Sequence, residues 1–253
     1  MIMAKYFYII ILFFIIIGLL VVKKDVQKHC ETSFYSVKEN TELIASIEKI
    51  NKNIDAINYL FYKNIKIKLK NGLLFNAKAK LSFKKDDNIR IVVDNFFGKQ
   101  MDIGSNKELF WFWSKYNDPP IHYIFKHKDL KEANLKAFLA PEWILESMGF
   151  KKISVENIVF VESIGKGKGI KQLRKSPSGE NISIITLINT EKNFVTGRYL
   201  LNDNQDIIAS VEYKSYFVAN DISVPDKIIV FFENIFMEWT ISDIKINVSC
   251  PDF

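Results

Sequence analysis

Two cysteines in 253 residues leave little room for thiol chemistry. Cys30 and Cys250 stand at opposite ends of the soluble part, and neither belongs to a C-x-x-C or a His/Cys cluster. No zinc site is therefore expected. In an oxidising compartment the two thiols could pair and tie the ends of the domain together; two free thiols are the other reading. Histidine is nearly as scarce, with only His29, His122 and His127. No H-E-x-x-H joins them and no G-x-S-x-G nucleophile elbow is present; Ser105, in "IGSN", reads as a turn serine. Asp86-Asp87, Asp203 and Asp206 sit in turn-like, solvated settings. The expectation is a protein without catalytic residues, metal ligands or cofactors.

Six prolines and ten glycines exclude collagen-like and low-complexity chains. A strong charge of one sign is missing too. The formal net charge is +6, but Lys5, Lys23, Lys24 and Lys28, with Asp25, flank an N-terminal apolar run. Beyond Cys30, 31 basic residues face 28 acidic ones. That is a mildly basic, solvated surface, and no nucleic-acid partner is expected.

Apolar residues, at 48%, are plentiful enough for a sizeable core. The N-terminal run "YFYIIILFFIIIGLLVV", Tyr6 to Val22, holds no charge over 17 residues. As a helix it would reach roughly 26 Å, against a hydrocarbon core of about 30 Å. Lys-Lys-Asp-Val-Gln follows in place of an A-x-A-like cleavage site, so an uncleaved transmembrane helix is expected. Gln27-Lys28-His29 before Cys30 make a poor lipidation site. Basic residues on both flanks leave the membrane side open.

The body reads as one helix followed by many strands. In "NTELIASIEKINKNIDAINY", residues 40 to 59, Leu43, Ile44, Ile47, Ile50, Ile54 and Ile57 fall at helical spacing behind an Asn40 or Thr41 N-cap. "NIKIKLK" (64 to 70) alternates, Asn71-Gly72 turns, and "LLFNAKAKLSF" (73 to 83) returns. "NIRIVVDN" (88 to 95) and "ELFWFW" (108 to 113) continue a meander of about five strands, with Gly104 read as a turn. Residues 127 to 150 predict two helices, the second opened by Pro141. About six more strands follow, over 153–162, 181–189, 193–201, 206–214, 227–233 and 240–248. "GKGKGIKQLRKSPSGE" (165 to 180) reads as a mobile hairpin connection, since its spacing is not that of a phosphate loop. So many antiparallel strands tend to curl or close, with helices plugging what stays open.

Three stretches carry a resemblance. They are "LIASIEKINKNIDAINYLFYKNIKIKL", then "FGKQMDIGSNKELFWFW" running to "DPP" and "APEWILESMGF", and the closing pair "VPDKIIVFFEN" and "EWTISDIKINV". With the order of elements they make residues 40 to 253 resemble the LolA/LolB-like superfamily of outer-membrane lipoprotein carriers and acceptors. The resemblance implies a mainly β (α+β) fold, an antiparallel unclosed β-barrel lidded by helices. It also implies a periplasmic body with an acyl-chain cavity lined by apolar and aromatic side chains. An uncleaved helix departs from both the soluble carrier and the lipid-anchored acceptor, and a chain fixed to one membrane cannot shuttle freely.

"LFWFW" is apolar on both parities, so each face of that strand needs a cover. Leu109, Trp111 and Trp113 share one face, Phe110 and Phe112 the other. One set is expected in the barrel interior. With Trp143 and Trp239, these five residues are the candidate lipid-binding wall; plain core is the competing reading for each. The expected organisation is an anchor and linker over 1–30, with the span at 6–22, and a half-barrel over 31–253. The expected partners are an acyl lipid or lipidated protein and the membrane itself, the protein partner being open. The alternative is a structural or interaction subunit with a filled barrel and no ligand.

Overall fold

Alternation along the first strand sets the two faces of the sheet. Ile65 and Ile67 are buried while Lys66 and Lys68, which alternate with them, are exposed. The structure, a computed structural model, describes residues 40–69, 76–86, 88–115, 120–133, 135–156, 158–164, 167–232 and 235–248. The span 6–22, Cys30, Cys250, Asn71-Gly72 and Asp118-Pro119 lie outside the described residues. Among the described residues, no helix is long and apolar enough to cross a membrane.

Helix α1 (Thr41–Asp55) begins where Asn40 accepts a hydrogen bond from the Leu43 amide at 3.2 Å. Leu43, Ile47, Ile50 and Ile54 form its buried stripe. The helix stops at Asp55, short of the expected residue 59, because β1 (Tyr59–Leu69) already starts there. β2 (Asn76–Lys84), β3 (Asn88–Asn95), β4 (Gly98–Ser105), β5 (Leu109–Ser114) and β6 (His122–Lys126) follow as an antiparallel meander. The chain then leaves the sheet through 3-10 turns at His127–Asp129 and Ala137–Leu139, and through helix α2 (Pro141–Ser147). It re-enters at β7 (Ile158–Ile164). From there β8 (Gly167–Lys175), β9 (Asn181–Asn189), β10 (Phe194–Leu201), β11 (Ile207–Ala219), β12 (Ile222–Phe232) and β13 (Ile235–Ile246) lead back.

The spatial order is β6-β5-β4-β3-β2-β1-β13-β12-β11-β10-β9-β8-β7, one antiparallel sheet of 13 strands. β13 pairs with β1, while β6 and β7 are the two unpaired edges, so the sheet is unclosed. Because β6 and β7 are consecutive in sequence but sit at opposite edges, the segment between them has to cross from one edge to the other. That requirement brings α2 and its flanking turns to the sheet's inner face.

Register identifies this face. Phe112 lies opposite Ile103, Ile103 opposite Ile91, Ile91 opposite Leu81 and Leu81 opposite Tyr62. Residues paired in this way point to the same side. The α1 stripe, Phe150 and Ile153 join them in the main core. Phe150 stacks on Phe83 at 4.5 Å between ring centroids. Two asparagine side chains fasten α1: Asn51 exchanges two hydrogen bonds with the Ile153 backbone, at 2.9 and 2.8 Å, and Asn53 does so with Ser223, at 2.8 and 2.7 Å.

Four expectations need correction. Residues 165–180, expected as a loop, contain strand β8, with Ile170 and Gln172 buried. Among the described residues of this stretch, only Ser176–Glu180 turns, closed by a 2.8 Å bond from the Ser176 amide to the Glu180 carbonyl. Gly104 is an interior residue of β4, where glycine leaves space for Trp111 across the strand pair. Ser105, expected in a turn, ends that strand and is buried. The first expected helix after residue 127 is a pair of 3-10 turns.

Candidate functional site

Pro141 at the start of α2 fixes the backbone where no amide donor is needed, and Ala140 before it is extended. The short helix turns Trp143, Glu146 and Ser147 inward. Trp143, with Ala137 and Ala140, meets Ile184 of β9, Leu200 of β10 and Ala209 of β11 in a second, smaller core. A cavity of about 410 Å³ opens beside this cluster, within the ordinary range for ligand pockets. Its apolar wall is Trp143, Ile182, Ile184 and Leu200 with Ala137 and Ala140; its polar side includes Lys128, Lys131, Arg174, Lys175, Glu142 and Glu146.

Glu146 is almost fully buried, at 1% exposure, and two arginines share it. Arg174 hydrogen-bonds its Oε1, and Arg198 Nη1 stands 3.7 Å from its Oε2. Arg174 also donates to Gln172 Oε1 at 3.1 Å, and Gln172 donates to the Ser154 carbonyl at 2.9 Å. Tyr213 donates to the Ser147 carbonyl at 2.9 Å, and burial pushes its hydroxyl up to about 12. Among the described residues, Glu146 Oε2 and Arg198 Nε have no hydrogen-bond partner. A carboxylate taken out of water without this double pairing would be costly. Arg198 lines a second space of about 200 Å³ between α1 and β10–β12. The Glu146–Arg198 pair therefore stands between the two cavities.

The seven aromatic and leucine residues singled out in the sequence are spread over three places. Phe110 and Phe112 face inward: Phe110 is buried, and Phe112 packs against the main core. Trp239 is buried in that core on β13, its indole N–H without a partner among the described residues. Leu109, Trp111 and Trp113 point to the outer face. There Trp111 covers Gly104 and donates to Asp102 at 3.2 Å, and Trp113 meets His122 edge-on at 5.8 Å. Trp143 lines the 410 Å³ cavity, and the other six do not.

Asp102 gathers the outer cover. Arg90 donates to both its oxygens, at 3.1 and 2.8 Å, and Lys99 adds a 3.0 Å bond. Burial alone would raise this carboxyl, but the bonds from Arg90, Lys99 and Trp111 outweigh it and hold it down at about 2.

One serine–histidine contact invites a catalytic reading. Ser105 Oγ lies 3.2 Å from His127 Nε2, but that nitrogen is only 2.7 Å from the Asn106 carbonyl, which can only accept. Nε2 therefore carries the proton and is not free to take one from the hydroxyl. The contact ties the β4–β5 turn to the first 3-10 turn.

Sequence reasoning missed Glu146, Arg174 and Arg198. The chain has only three arginines, Arg90 being the third, and all three bind buried carboxylates. Arginine's rarity beside so many lysines was the available signal, since its planar fork suits buried carboxylates.

No protein-family model matches the chain, and no curated protein does. Solved structures do. One, described as an outer membrane lipoprotein-sorting protein domain, from Vibrio parahaemolyticus, superposes with a TM-score of 0.54 at 8% identity, covering 81% of this chain and 94% of that one. A LolA superfamily protein from Nitrosomonas europaea gives 0.51 at 11%, over 81% and 94%. A DUF1329 family protein from Desulfovibrio piger gives 0.52 at 10%, over 83% and 95%. At such identities the likeness concerns the fold, and the body of this chain has the LolA-like fold.

Proposed function

We propose that this protein is a membrane-anchored, non-enzymatic component of the cell envelope, its body on the periplasmic side, that holds an acyl chain of a lipid or lipidated protein. The observation that carries the reading is the 410 Å³ cavity, with Trp143, Ile182, Ile184 and Leu200 on one side and cations on another. Each methylene moved from water into such a wall contributes about 0.8 kcal/mol. The lipoprotein-sorting description of the Vibrio domain, which shares the fold, agrees with this reading.

The β3–β4 turn supplies a second support. Phe96 and Phe97 at its tip are 96% and 77% exposed, with ring centroids 5.5 Å apart. Lys99 and Lys115 flank them, Lys115 donating to the Phe97 carbonyl at 3.4 Å. An aromatic pair with cationic flanks suits the boundary of a bilayer, where ring and ammonium each find their solvent.

The competing reading, a filled barrel acting as an interaction subunit, draws on the main core. There α1, Phe150 and Ile153 occupy the inner face of β1–β4. Mass spectrometry of lipid extracted from the full chain, purified in a lipid-free detergent, separates the two. Stoichiometric acyl lipid, lost in a folded Ala137→Trp variant that fills the cavity, is the expected result. No lipid in the parent, and no uptake of added lipid, would favour the filled barrel.

A further inference from the structure

The rim of the 410 Å³ cavity is a local concentration of positive charge on a nearly neutral body. Lys128 and Lys131 reach it from the segment after β6, and Arg174 and Lys175 from the end of β8. Two carboxylates stand against these four cations. One of them, Glu146, is already engaged by Arg174 and by Arg198 behind it; the other, Glu142, is exposed on α2. His127, the remaining titratable residue of the lining, has its Nε2 committed to the Asn106 carbonyl. Lys128, Lys131 and Lys175 are solvent-exposed. Opposite them lies the apolar wall of Trp143, Ile182, Ile184 and Leu200.

An apolar wall and a cationic rim on one cavity match a molecule with a tail and an anion at its end. Resting on the lipid-binding reading above, we infer that the cavity selects acyl lipids carrying an anionic phosphate headgroup, with Lys128, Lys131 and Lys175 as the headgroup contacts. Arg174 is a positioning residue here: held by Glu146 and Gln172, it keeps the β8 end of the rim in place. Lysine ammoniums act as point charges, whereas a bidentate arginine fork demands a particular geometry. The rim therefore discriminates by charge and tolerates different anionic headgroups.

The test is a titration of the full chain in neutral detergent, followed by native mass spectrometry. The probes are dioctanoyl phosphatidylglycerol, dioctanoyl phosphatidic acid, dioctanoyl phosphatidylcholine and inorganic phosphate. Exposed ion pairs contribute modestly one by one, so three together are expected to favour both anionic lipids by about tenfold over phosphatidylcholine. Lys128→Gln/Lys131→Gln/Lys175→Gln should remove that preference, bringing the anionic lipids to the level of phosphatidylcholine. Lys66→Gln/Lys68→Gln/Lys80→Gln, exposed on the outer face, should keep it. Equal binding of phosphatidylglycerol and phosphatidylcholine, or a preference that survives the first triple variant, would overturn the headgroup inference and leave acyl binding standing. Displacement of phosphatidylglycerol by an equal concentration of inorganic phosphate would assign the rim to the free anion and overturn the lipid claim. Binding of no lipid at all would remove the acyl-binding reading and this inference together.

Discussion

Glu146 Oε2 and Arg198 Nη1 face each other at 3.7 Å with a cavity on either side, the larger touching the glutamate and the smaller the arginine. Both side chains are at most 3% exposed. Glu146→Gln leaves two guanidiniums without their carboxylate, one of them buried, and should cost about 3–5 kcal/mol. Arg198→Met should cost less, because Arg174 still holds the carboxylate. Chemical denaturation midpoints of the two variants check the order; equal or reversed losses would contradict it.

On the outer face, the Trp111 ring lies so close to Gly104 that an added methyl group would stand 2.1 Å from its Cζ2. Gly104→Ala should displace the indole from Asp102 and destabilise by about 1–3 kcal/mol. Thermal unfolding reads the loss, and Gly104→Ala/Trp111→Leu should recover part of it. No recovery would mean that the glycine serves the backbone and not the ring.

Asp102 gives the fold an acid limb. Its carboxyl sits at about 2 in the folded protein and near 3.9 when unfolded. The folded value is the depressed one, so the stabilisation is complete above about pH 4 and disappears as pH falls through about 2. Its size is on the order of 1–2 kcal/mol, because Arg90 and Lys99 are partly exposed and screened. Asp102→Asn should flatten the stability profile between pH 4 and pH 2 and lower stability at neutrality. An unchanged slope there would contradict this assignment.

Phe96 and Phe97 are exposed at the tip of the β3–β4 turn, their rings edge to face at 5.5 Å between centroids. Phe96→Ser/Phe97→Ser should leave the unfolding midpoint within about 0.5 kcal/mol of the parent. Insertion of both rings into a bilayer is worth roughly 3–6 kcal/mol. In full chains reconstituted into vesicles, a fluorophore on the β3–β4 turn should move from an apolar to an aqueous environment on substitution. The same emission in both proteins would remove the turn from the membrane.

Periodicity made the helical stripe of α1 and the inward Ile65 and Ile67 legible in the sequence, since each repeats at the spacing of its element. β4 and β8 were hidden because their glycines, Gly98 and Gly104, Gly167 and Gly169, imitate turn signals inside strands. The site was harder to read. "LFWFW" drew attention by apolarity, yet its tryptophans cover the outer face, and the cavity assembles from α2, β8, β9 and β10. Only the crossing from β6 to β7 brings those residues together, and no local pattern encodes that crossing. Trp143 was legible as a large aromatic, Glu146 not at all, since α2, at seven residues, is too short to display a face.

The most direct measurement is photo-crosslinking of the full chain with a lipid carrying a diazirine at the end of its acyl chain, with adducts mapped by peptide mass spectrometry. An acyl chain in the cavity should place adducts on Trp143, Ile182, Ile184 and Leu200, and Ala137→Trp should abolish them. Adducts confined to Leu109, Trp111 and Trp113 on the outer face, or unaffected by Ala137→Trp, would contradict the cavity as the binding site.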